Sequence, residues 1–371
     1  MSTEEDRRAI ISLSRTKGFG VAQFFRALEI YGSPSGVLAN INRFSKKGMQ
    51  PPGNDEIKRE LEEGEKLGVK IITYTDDIYP NMLKNIGFAP LTLSCRGNLE
   101  LLKNGKKLAI VGSRDCSLNS FNFTKKISRE IANNGYVIVS GMARGIDTSA
   151  HIGSMDTGTI AVLGCGIDVI YPKQNEYLYY KILENNGLII SEFFLHSPPI
   201  PDHFRMRNRI VVGMSRGVLI TSAGEASGTL NSANYAIKFG KELMVFPGNP
   251  YDGRYTGSNN LLKEGATIVT STEDIIECLD TFTSDEYFSA GNDDNSSEEY
   301  SLGEEIDEKP GDLEDKILSM LDHTPIEINN LVANCAIFGS LNDVNSAIMK
   351  LRVKGKIILN NGTVELRIAD S

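Results

Sequence analysis

The hydrophobic pattern of the chain changes twice along its length and divides it into three parts. In residues 1–80, apolar residues recur three and four positions apart, which is the spacing of one face of an amphipathic helix. The stretch Lys17-Gly18-Phe19-Gly20 interrupts this pattern, so we predict short helices separated by a glycine-bearing turn. Residues 81–105 are expected to form an irregular connection after a short strand.

From Lys106 onward, short apolar runs alternate with helical patterns. We predict strands at 107–112, 136–140, 159–164, 188–192, 218–222 and 242–246, with 267–271 as a further edge strand. Strands that are apolar throughout and alternate with helices are typical of a parallel sheet covered on both faces. The predicted fold class is therefore α/β, with a Rossmann-like, doubly wound, mostly parallel sheet over residues 106–280.

Residues 309–371 show three helical patterns followed by a hairpin signal. Asn361-Gly362 lies between two β-rich runs, which is a strong indication of a tight hairpin. Three helices and a two-stranded wing predict a winged-helix domain, whose third helix, about 340–353, would be the recognition helix in a DNA-binding protein. Asp343 lies near the start of that helix and its basic residues lie at the far end, so a protein-interaction or packing role is favoured.

The negative charge of the chain is concentrated in one segment. The formal net charge is −9, but residues 281–308 hold ten Asp and Glu and no Lys or Arg, which leaves +1 on the rest. This segment is poor in aliphatic residues and is predicted to be a flexible acidic linker. A basic site elsewhere could therefore attract a polyanion without opposition from the remainder of the protein.

Composition excludes several classes of protein. The five cysteines are scattered and the four histidines form no HxxxH pair, so no metal site is predicted and the thiols fit a reducing cytoplasm. No apolar stretch reaches the roughly 18–20 residues of a membrane span. The N-terminal MSTEEDRRAI has no apolar core and is not expected to be a signal peptide. The expected location is cytoplasmic.

The predicted strand ends carry residues that suit a phosphate-binding edge. Ligands of doubly wound sheets bind beyond the carboxyl ends of the strands, where this sequence places Gly112-Ser113-Arg114, Gly141 with Arg144, and Ser227-Gly228-Thr229. Small residues permit close approach of the backbone, and arginines and helix N-termini bind anions. The GxGxxG fingerprint is absent, so no nicotinamide, flavin or other cofactor is predicted.

The same edge lacks the groups that catalysis needs. It has no GxSxG elbow, no Walker motif and no pair of carboxylates placed for acid–base work. We expect Asp147 to be a helix cap, Asp168 to be structural and Glu192 to be the one carboxylate of interest, while His151, His196 and His203 are structural or surface groups. No catalytic residue is predicted, and the edge is interpreted as a binding surface of a protein that is not an enzyme.

Several short motifs occur together in one order over residues 106–280. They are AIVGSRDCS, SGMARGIDTSAH, VLGCGIDVIYP, ISEFF, HFRMRNRIVVGMSRGVLI, ASGTLNSANYA, FPGNP and GSNNLLKEGA. Together they resemble the DprA/Smf family of DNA-processing proteins. The family architecture consists of a SAM-like module, an extended Rossmann domain and a winged helix, and is similar to the three parts predicted above. The N-terminal helices resemble a helix-hairpin-helix module, which either contacts DNA backbones or has only a packing role.

The resemblance implies a single-stranded DNA binding protein that protects incoming DNA and loads the recombinase RecA during natural transformation, as a homodimer formed through the Rossmann domain. It implies a phosphate pocket lined by Gly112, Ser113, Arg114, Gly141 and Arg144, with Phe204, Arg207, Asn208 and Arg209 in the F-P-x-R-N-R segment and Ser227, Gly228 and Thr229 in the S-G-x-L segment. Three positions depart from the family pattern: Arg205 replaces a proline, Ser222 a glutamate and Ala226 a basic residue.

Two other functions remain open from the sequence. ASGTLNSA resembles a segment of the lysine-decarboxylase-like phosphoribohydrolases, although Asn231 and Ser232 stand where that family has a catalytic glutamate. Alternatively, the winged helix is an arm that binds double-stranded DNA or a protein. For the basic stretch HFRMRNRI we predict a helix that begins near Arg205, with Arg207 or Arg209 on DNA phosphate and another of these arginines in an ion pair.

Overall fold

The structure is a computed structural model, and its described residues cover most of the chain. They are 3–43, 50–281, 313–322, 324–335, 344, 347–348, 350–352, 354, 356–360 and 363–367. The acidic segment from residue 282 onward, Asp343 and the Asn361-Gly362 turn lie outside the described residues, so the predictions for them stay predictions.

The N-terminal part is helical and is broken where the glycines predict a turn. Its helices are α1 (Glu4–Ser14), α2 (Val21–Tyr31), α3 (Pro34–Ala39) and α4 (Asn54–Lys66). The hydroxyl of Thr3 accepts a hydrogen bond from the Asp6 amide at 3.1 Å and caps α1. Ile10, Leu13 and Phe24 pack in one apolar cluster between these helices. The prediction of short helices separated by a glycine-bearing turn is confirmed.

A nine-stranded sheet with helices on both faces forms the main body. Its elements in chain order are β1 (Val69–Thr73), α5 (Asn81–Lys84), β2 (Thr92–Gly97), β3 (Lys107–Val111), α6 (Leu118–Asn133), β4 (Val137–Ser140), α7 (Ile146–Gly153), β5 (Thr159–Leu163), α8 (Glu176–Glu184), β6 (Leu188–Ser191), α9 (Pro201–Gly213), β7 (Gly217–Ile220), α10 (Thr229–Lys238), β8 (Glu242–Val245), α11 (Thr256–Lys263), β9 (Thr267–Ile268) and α12 (Thr272–Thr281). Each strand predicted after residue 106 is present.

The strand order is β1-β2-β6-β5-β4-β3-β7-β8-β9, and every pairing from β6 to β9 is parallel. The chain winds outward from β3 to β6 and then returns to β7, on the other side of β3, so the topological switch point lies between β3 and β7. In β3, Leu108 and Ile110 face one apolar core while Ala109 and Val111 face the other. These pairings, with an apolar core on each face, confirm a mixed, mostly parallel α/β sheet.

The expectation of an irregular connection over residues 81–105 is wrong for β2. This strand pairs antiparallel with both β1 and β6, with Cys95 opposite Ile190, so the sheet begins well before residue 106. Thr92, Leu93, Ser94 and Cys95 are all buried. Apolar Leu91, Leu93 and Cys95 alternate with polar Thr92 and Ser94, which is the period of a strand and could have identified it. Pairing with strands on both sides buries the polar positions as well.

The C-terminal part contains α13 (Leu313–Met320), β10 (Ile326–Glu327), α14 (Ile328–Cys335), β11 (Ile357–Asn360) and β12 (Thr363–Leu366). Its strands form an antiparallel sheet in the order β10-β12-β11, with Ile358 opposite Glu365. The pairing of β11 with β12 confirms the two arms of the predicted hairpin.

The helices within the described residues are too short or too polar to span a bilayer.

Candidate nucleic-acid interface

The loops that follow β3, β4 and β7 meet at the switch point. The amide of Ser113, after β3, donates to the backbone oxygen of Ser222, after β7, at 2.9 Å. The backbone oxygen of Ser113 accepts from the Ile146 amide, at the start of α7, at 3.2 Å. The crevice at such a point is the usual ligand site of a doubly wound sheet. Gly112, Ser113, Gly141 and Arg144 are therefore brought together.

Glycine is required where these loops touch. Gly145 has a φ of +71°, and a methyl group there would collide with the backbone oxygens of Ser113 and Arg114. At Gly112, the added carbon would lie 2.6 Å from the Ile146 side chain. The Ser113-Arg114 turn and the start of α7 are thus in close contact, and their backbones form a continuous surface beside the switch point.

Arg114 and Arg144 carry the exposed positive charge of this surface. Both residues are exposed, and the Arg144 guanidinium lies 4.0 Å from a carboxylate oxygen of Asp115. A surface ion pair of this length contributes little to stability. The Arg114 guanidinium lies 5.9 Å from the centroid of the Phe204 ring, within the range of a cation–π contact. Two arginines are therefore accessible to an anion.

Phe204 lies on α9 and pairs with an aromatic residue from a different loop. The centroid of its half-buried ring is 5.3 Å from that of Tyr171, at an interplanar angle of 36°. Tyr171 follows β5 and keeps 43% of its surface exposed. This contact could not be predicted from the sequence, because nothing local relates residues 33 positions apart.

Arg207 lies beneath the surface, with only 5% of the residue exposed. Its guanidinium donates to the backbone oxygens of Gly141 and Val162, at the ends of β4 and β5, and its Nε donates to the Asn208 amide oxygen at 3.0 Å. Burial lowers the pKa of Arg207, while the nearby Asp147 carboxylate raises it. This side chain positions the β4 and β5 loops from below.

Asp147 also acts inside the loop, and its predicted role as a helix cap is wrong. The helix α7 begins one residue earlier, at Ile146, and the Asp147 carboxylate accepts from the Gly141 and Ala143 amides at 3.1 and 3.2 Å. Burial raises the pKa of Asp147, and the Arg207 charge lowers it. Because these amides would otherwise be unpaired, the carboxylate stabilises the turn that presents Arg144.

Arg209 is the arginine in an ion pair, as predicted for one of the three. It pairs with Glu192, and each of the two side chains is about 10% exposed or less. Arg209 also donates to the Phe88 backbone oxygen at 3.0 Å. The backbone oxygen of Glu192 accepts from Arg15 of α1 at 3.1 Å. Glu192, the carboxylate of interest in the sequence, is thus part of a structural network.

The helix that carries these arginines begins at Pro201 and not near Arg205. Proline is favoured in the first helical turn because its fixed φ suits a helix and it has no amide to leave unpaired. Arg205 is exposed, whereas Arg207 and Arg209 are buried. The backbone oxygen of Arg205 accepts from the Asn231 side chain of α10 at 3.3 Å, which places α9 beside α10.

Ser227, Gly228 and Thr229 form the turn before α10. The Thr229 amide donates to the Ser227 hydroxyl at 3.2 Å, and Gly228 is exposed. This N-terminus lies beside Arg205, on the far side of the switch point from Arg144. Asn231 and Ser232 place no carboxylate here, so the glutamate on which phosphoribohydrolase chemistry depends is absent from this helix turn.

Other titratable groups near the site are unsuited to acid–base or nucleophilic chemistry at neutral pH. Burial lowers the pKa of His151 to about 3, so its ring is neutral. Burial raises the pKa of Cys116 and of Cys165 to about 12, so neither is a thiolate. Among the described residues, no group of three or more His, Cys, Asp or Glu could hold a metal ion. The arrangement is suited to binding.

Comparison with known proteins identifies the family. Residues 70–280 match the model of DNA recombination-mediator protein A. DNA processing protein DprA of Streptococcus pneumoniae is 42% identical over 203 residues, which are 54% of this chain and 71% of the relative. Protein Smf of Synechocystis is 31% identical over 320 residues, 80% of each chain.

Two solved structures of the family are similar to this one. The crystal structure of DprA from Streptococcus pneumoniae aligns with a TM-score of 0.65 and 33% identity, over 75% of this chain and 98% of that chain. A structure of DNA processing protein A from Helicobacter pylori, described as showing a single-stranded DNA binding mode, aligns with a TM-score of 0.51 and 34% identity, over 57% and 96%. The chain therefore belongs to the DNA recombination-mediator protein A family.

Proposed function

We propose that this protein binds single-stranded DNA at the switch point of its sheet, without reading sequence, and acts as a recombination mediator. The observation that carries the proposal is the meeting of Arg114, Arg144 and Phe204 at one crevice. Exposed arginines bind backbone phosphates, and an aromatic face stacks on any base. The Helicobacter pylori relative, described as a single-stranded DNA binding protein, supports the same class of ligand.

The twelve residues expected from the sequence to bind nucleic acid divide into three groups in this proposal. Arg114, Arg144, the Ser113 hydroxyl and the turn at Ser227–Thr229 face the strand, while Phe204 supplies a stacking surface. Gly112 and Gly141 allow close approach of the backbone. Arg207, Asn208 and Arg209 are positioning residues, because the two arginines are buried and their donors are directed to protein oxygens and to Glu192.

The cellular role is proposed at the level of the family. Membership in a family of recombination mediators supports loading of the recombinase RecA onto the bound strand and protection of DNA during natural transformation. A homodimer formed through the Rossmann-like domain and a cytoplasmic location belong to the same proposal. We further propose that the protein is not an enzyme, which fits the neutral His151 and the protonated thiols beside the crevice.

Fluorescence anisotropy of the full chain with labelled oligo-dT tests the binding site. Arg114→Ala with Arg144→Ala should weaken binding and lower the slope of log affinity against log salt by about 1.4, since each single-strand phosphate contact contributes about 0.7. The matched control is Arg129→Ala with Lys263→Ala, which removes two exposed charges near the ends of α6 and α11. If both double variants behave alike, the proposed pocket is wrong.

A further inference from the structure

Three tyrosines beyond the switch point are exposed on neighbouring segments. Tyr171 follows β5, and Tyr177 and Tyr180 lie on α8; their exposed fractions are 43%, 73% and 45%. We refer to these three side chains as the tyrosine platform. Large aromatic groups are usually buried, and a run of exposed ones beside a binding crevice marks an interaction surface.

Tyr171 links the tyrosine platform to the candidate interface. Tyr171 contacts Phe204, and the Arg114 guanidinium lies over that same ring. Arg114, Phe204 and Tyr171 therefore form a sequence of flat groups that starts at the switch point and runs away from it. After Tyr171 the chain turns through residues 173–175 directly into the first turn of α8, where Tyr177 lies. Tyr177 and Tyr180 therefore lie on the helix that directly follows the Tyr171 loop.

Tyr177 and Tyr180, the outer part of the platform, lie on a helix that is packed firmly against the sheet. Tyr177 and Tyr180 are three residues apart and share one face of α8, while Leu178, Tyr179 and Ile182 are buried on the other. The Tyr179 hydroxyl donates to the Ile167 backbone oxygen at 2.8 Å, and the Tyr180 ring packs edge-on against Tyr179 with centroids 5.5 Å apart. Because α8 is fixed in this way, the two exposed tyrosines have fixed positions on the surface.

The charges around the outer rings are balanced. Lys181 lies 5.4 Å from the Tyr177 ring centroid and donates to Glu184 at 2.8 Å. Exposed Lys173 is likewise offset by exposed Glu176 close by in the chain. Unlike the arginine-bearing crevice, this surface therefore offers little attraction to phosphate. What it offers is the flat face of each ring, which suits a base.

We propose that single-stranded DNA held in the crevice continues over the tyrosine platform, where its bases stack on Tyr171, Tyr177 and Tyr180. This inference rests on the proposed function and extends it, because it assigns a second segment of the strand to a salt-insensitive stacking surface. Stacking of bases on aromatic rings strengthens binding without preference for sequence. Because of the platform, affinity for single-stranded DNA should rise with strand length. Because of the crevice arginines, the same affinity should fall as the salt concentration rises.

The test uses a double variant of the full chain that carries both Tyr177→Ala and Tyr180→Ala, and compares its DNA binding with that of wild type. Labelled oligo-dT of about 6 and about 25 nucleotides, lengths within and beyond the roughly 4–16 nucleotides of a single-strand site, serve as probes. We expect about tenfold or greater loss of affinity for the long strand, an unchanged salt slope and unchanged affinity for the short strand. Tyr177→Phe with Tyr180→Phe keeps both rings and should bind as wild type does.

Each outcome has a distinct meaning. If wild-type protein binds neither oligonucleotide, the proposed function itself fails. If wild type binds and the alanine variant binds the long strand equally well, only the tyrosine platform is refuted. A change in molar mass by light scattering, with DNA affinity unchanged, would identify these rings as a protein contact and overturn the inference. Both rings are exposed, so an unchanged melting temperature verifies that the variants are folded.

Discussion

The buried guanidinium of Arg207 donates a hydrogen bond to the backbone oxygen of Gly141, so the loop that presents Arg144 is held from beneath by an arginine that does not reach the surface. The same guanidinium bonds the Val162 oxygen, which fixes the ends of β4 and β5 relative to α9. Arrangement of the crevice and stability of the fold therefore depend on one side chain.

Replacement of Arg207 should lower the free energy of unfolding. Arg207→Ala leaves the buried backbone oxygens of Gly141 and Val162 without their donor and removes the charge that lowers the pKa of Asp147, so we expect a loss of about 3–5 kcal/mol in the free energy of unfolding. Gly141→Ala would force a methyl group into the guanidinium and should cost about 1–3 kcal/mol. Urea unfolding followed by circular dichroism measures both. An Arg207→Ala variant as stable as wild type would contradict the positioning role.

The ion pair of Arg209 with Glu192 gives a second prediction. Because both side chains are nearly fully buried, removal of one leaves a buried charge unpaired. We expect Arg209→Ala and Glu192→Ala each to destabilise by about 3–5 kcal/mol and the double variant to be less destabilised than the sum, as for coupled neighbours.

Binding of oligo-dT distinguishes this structural role from a contact with DNA. At a temperature where the Arg209→Ala variant stays folded, its salt slope should equal that of wild type, whereas Arg114→Ala should lower the slope by about 0.7 without loss of stability. A lowered slope for Arg209→Ala would show that its side chain leaves Glu192 for phosphate.

The strands could be predicted from the sequence, but the roles of these arginines could not. Apolar runs such as 107–111 and 159–163 were sufficient to predict the parallel strands, since burial on both faces leaves a continuous signal. Nothing local distinguishes Arg205, which is exposed, from Arg207 and Arg209, which are buried, because their roles depend on Gly141 and Glu192 in distant strands. The contact of Tyr171 with Phe204 escaped prediction for the same reason.

His196 predicts a pH dependence of stability. Its Nδ1 lies 2.6 Å from an oxygen of Asp168, and its Nε2 lies 2.9 Å from an oxygen of Glu63 in α4. The Asp168 charge, more than burial or Glu63, determines the net shift and raises the pKa of His196 above its usual 6.5. Both carboxylates therefore favour the protonated ring.

Because the pKa of His196 is higher in the folded state, protonation stabilises the fold. The contribution is fully present below the unfolded pKa, near 6.5, and is lost as the pH rises through the folded pKa. We expect His196→Gln to lower the melting temperature at about pH 5.5 and to have little effect at about pH 8.5. The exposed ring makes the difference small. An equal effect at the two pH values would contradict it.

The contact between the C-terminal part and the sheet carries the last prediction. Arg254, held by Asp252 at 2.7 Å, donates to the backbone oxygens of Ser319 and Leu321 at the end of α13. The Asn119 side chain of α6 donates to Asp322 at 2.9 Å, and Leu118 packs in the apolar cluster of the C-terminal part with 5% of its surface exposed.

Leu118, the first of these contact residues on α6, is four residues after Arg114 in the chain. The C-terminal part therefore docks beside the candidate interface. Arg254→Ala removes the donors to Ser319 and Leu321 and should release α13. We expect faster amide hydrogen exchange over residues 313–322 and no change in β3 to β6. Lys263→Ala, on the neighbouring α11, is the charge-matched control and should leave that exchange unaltered. Because Leu118 packs in the apolar cluster of the C-terminal part, release of that part should expose Leu118 and increase binding of a hydrophobic dye. Unchanged exchange in the Arg254 variant would show that Leu118 and Asn119 hold the two parts together without it.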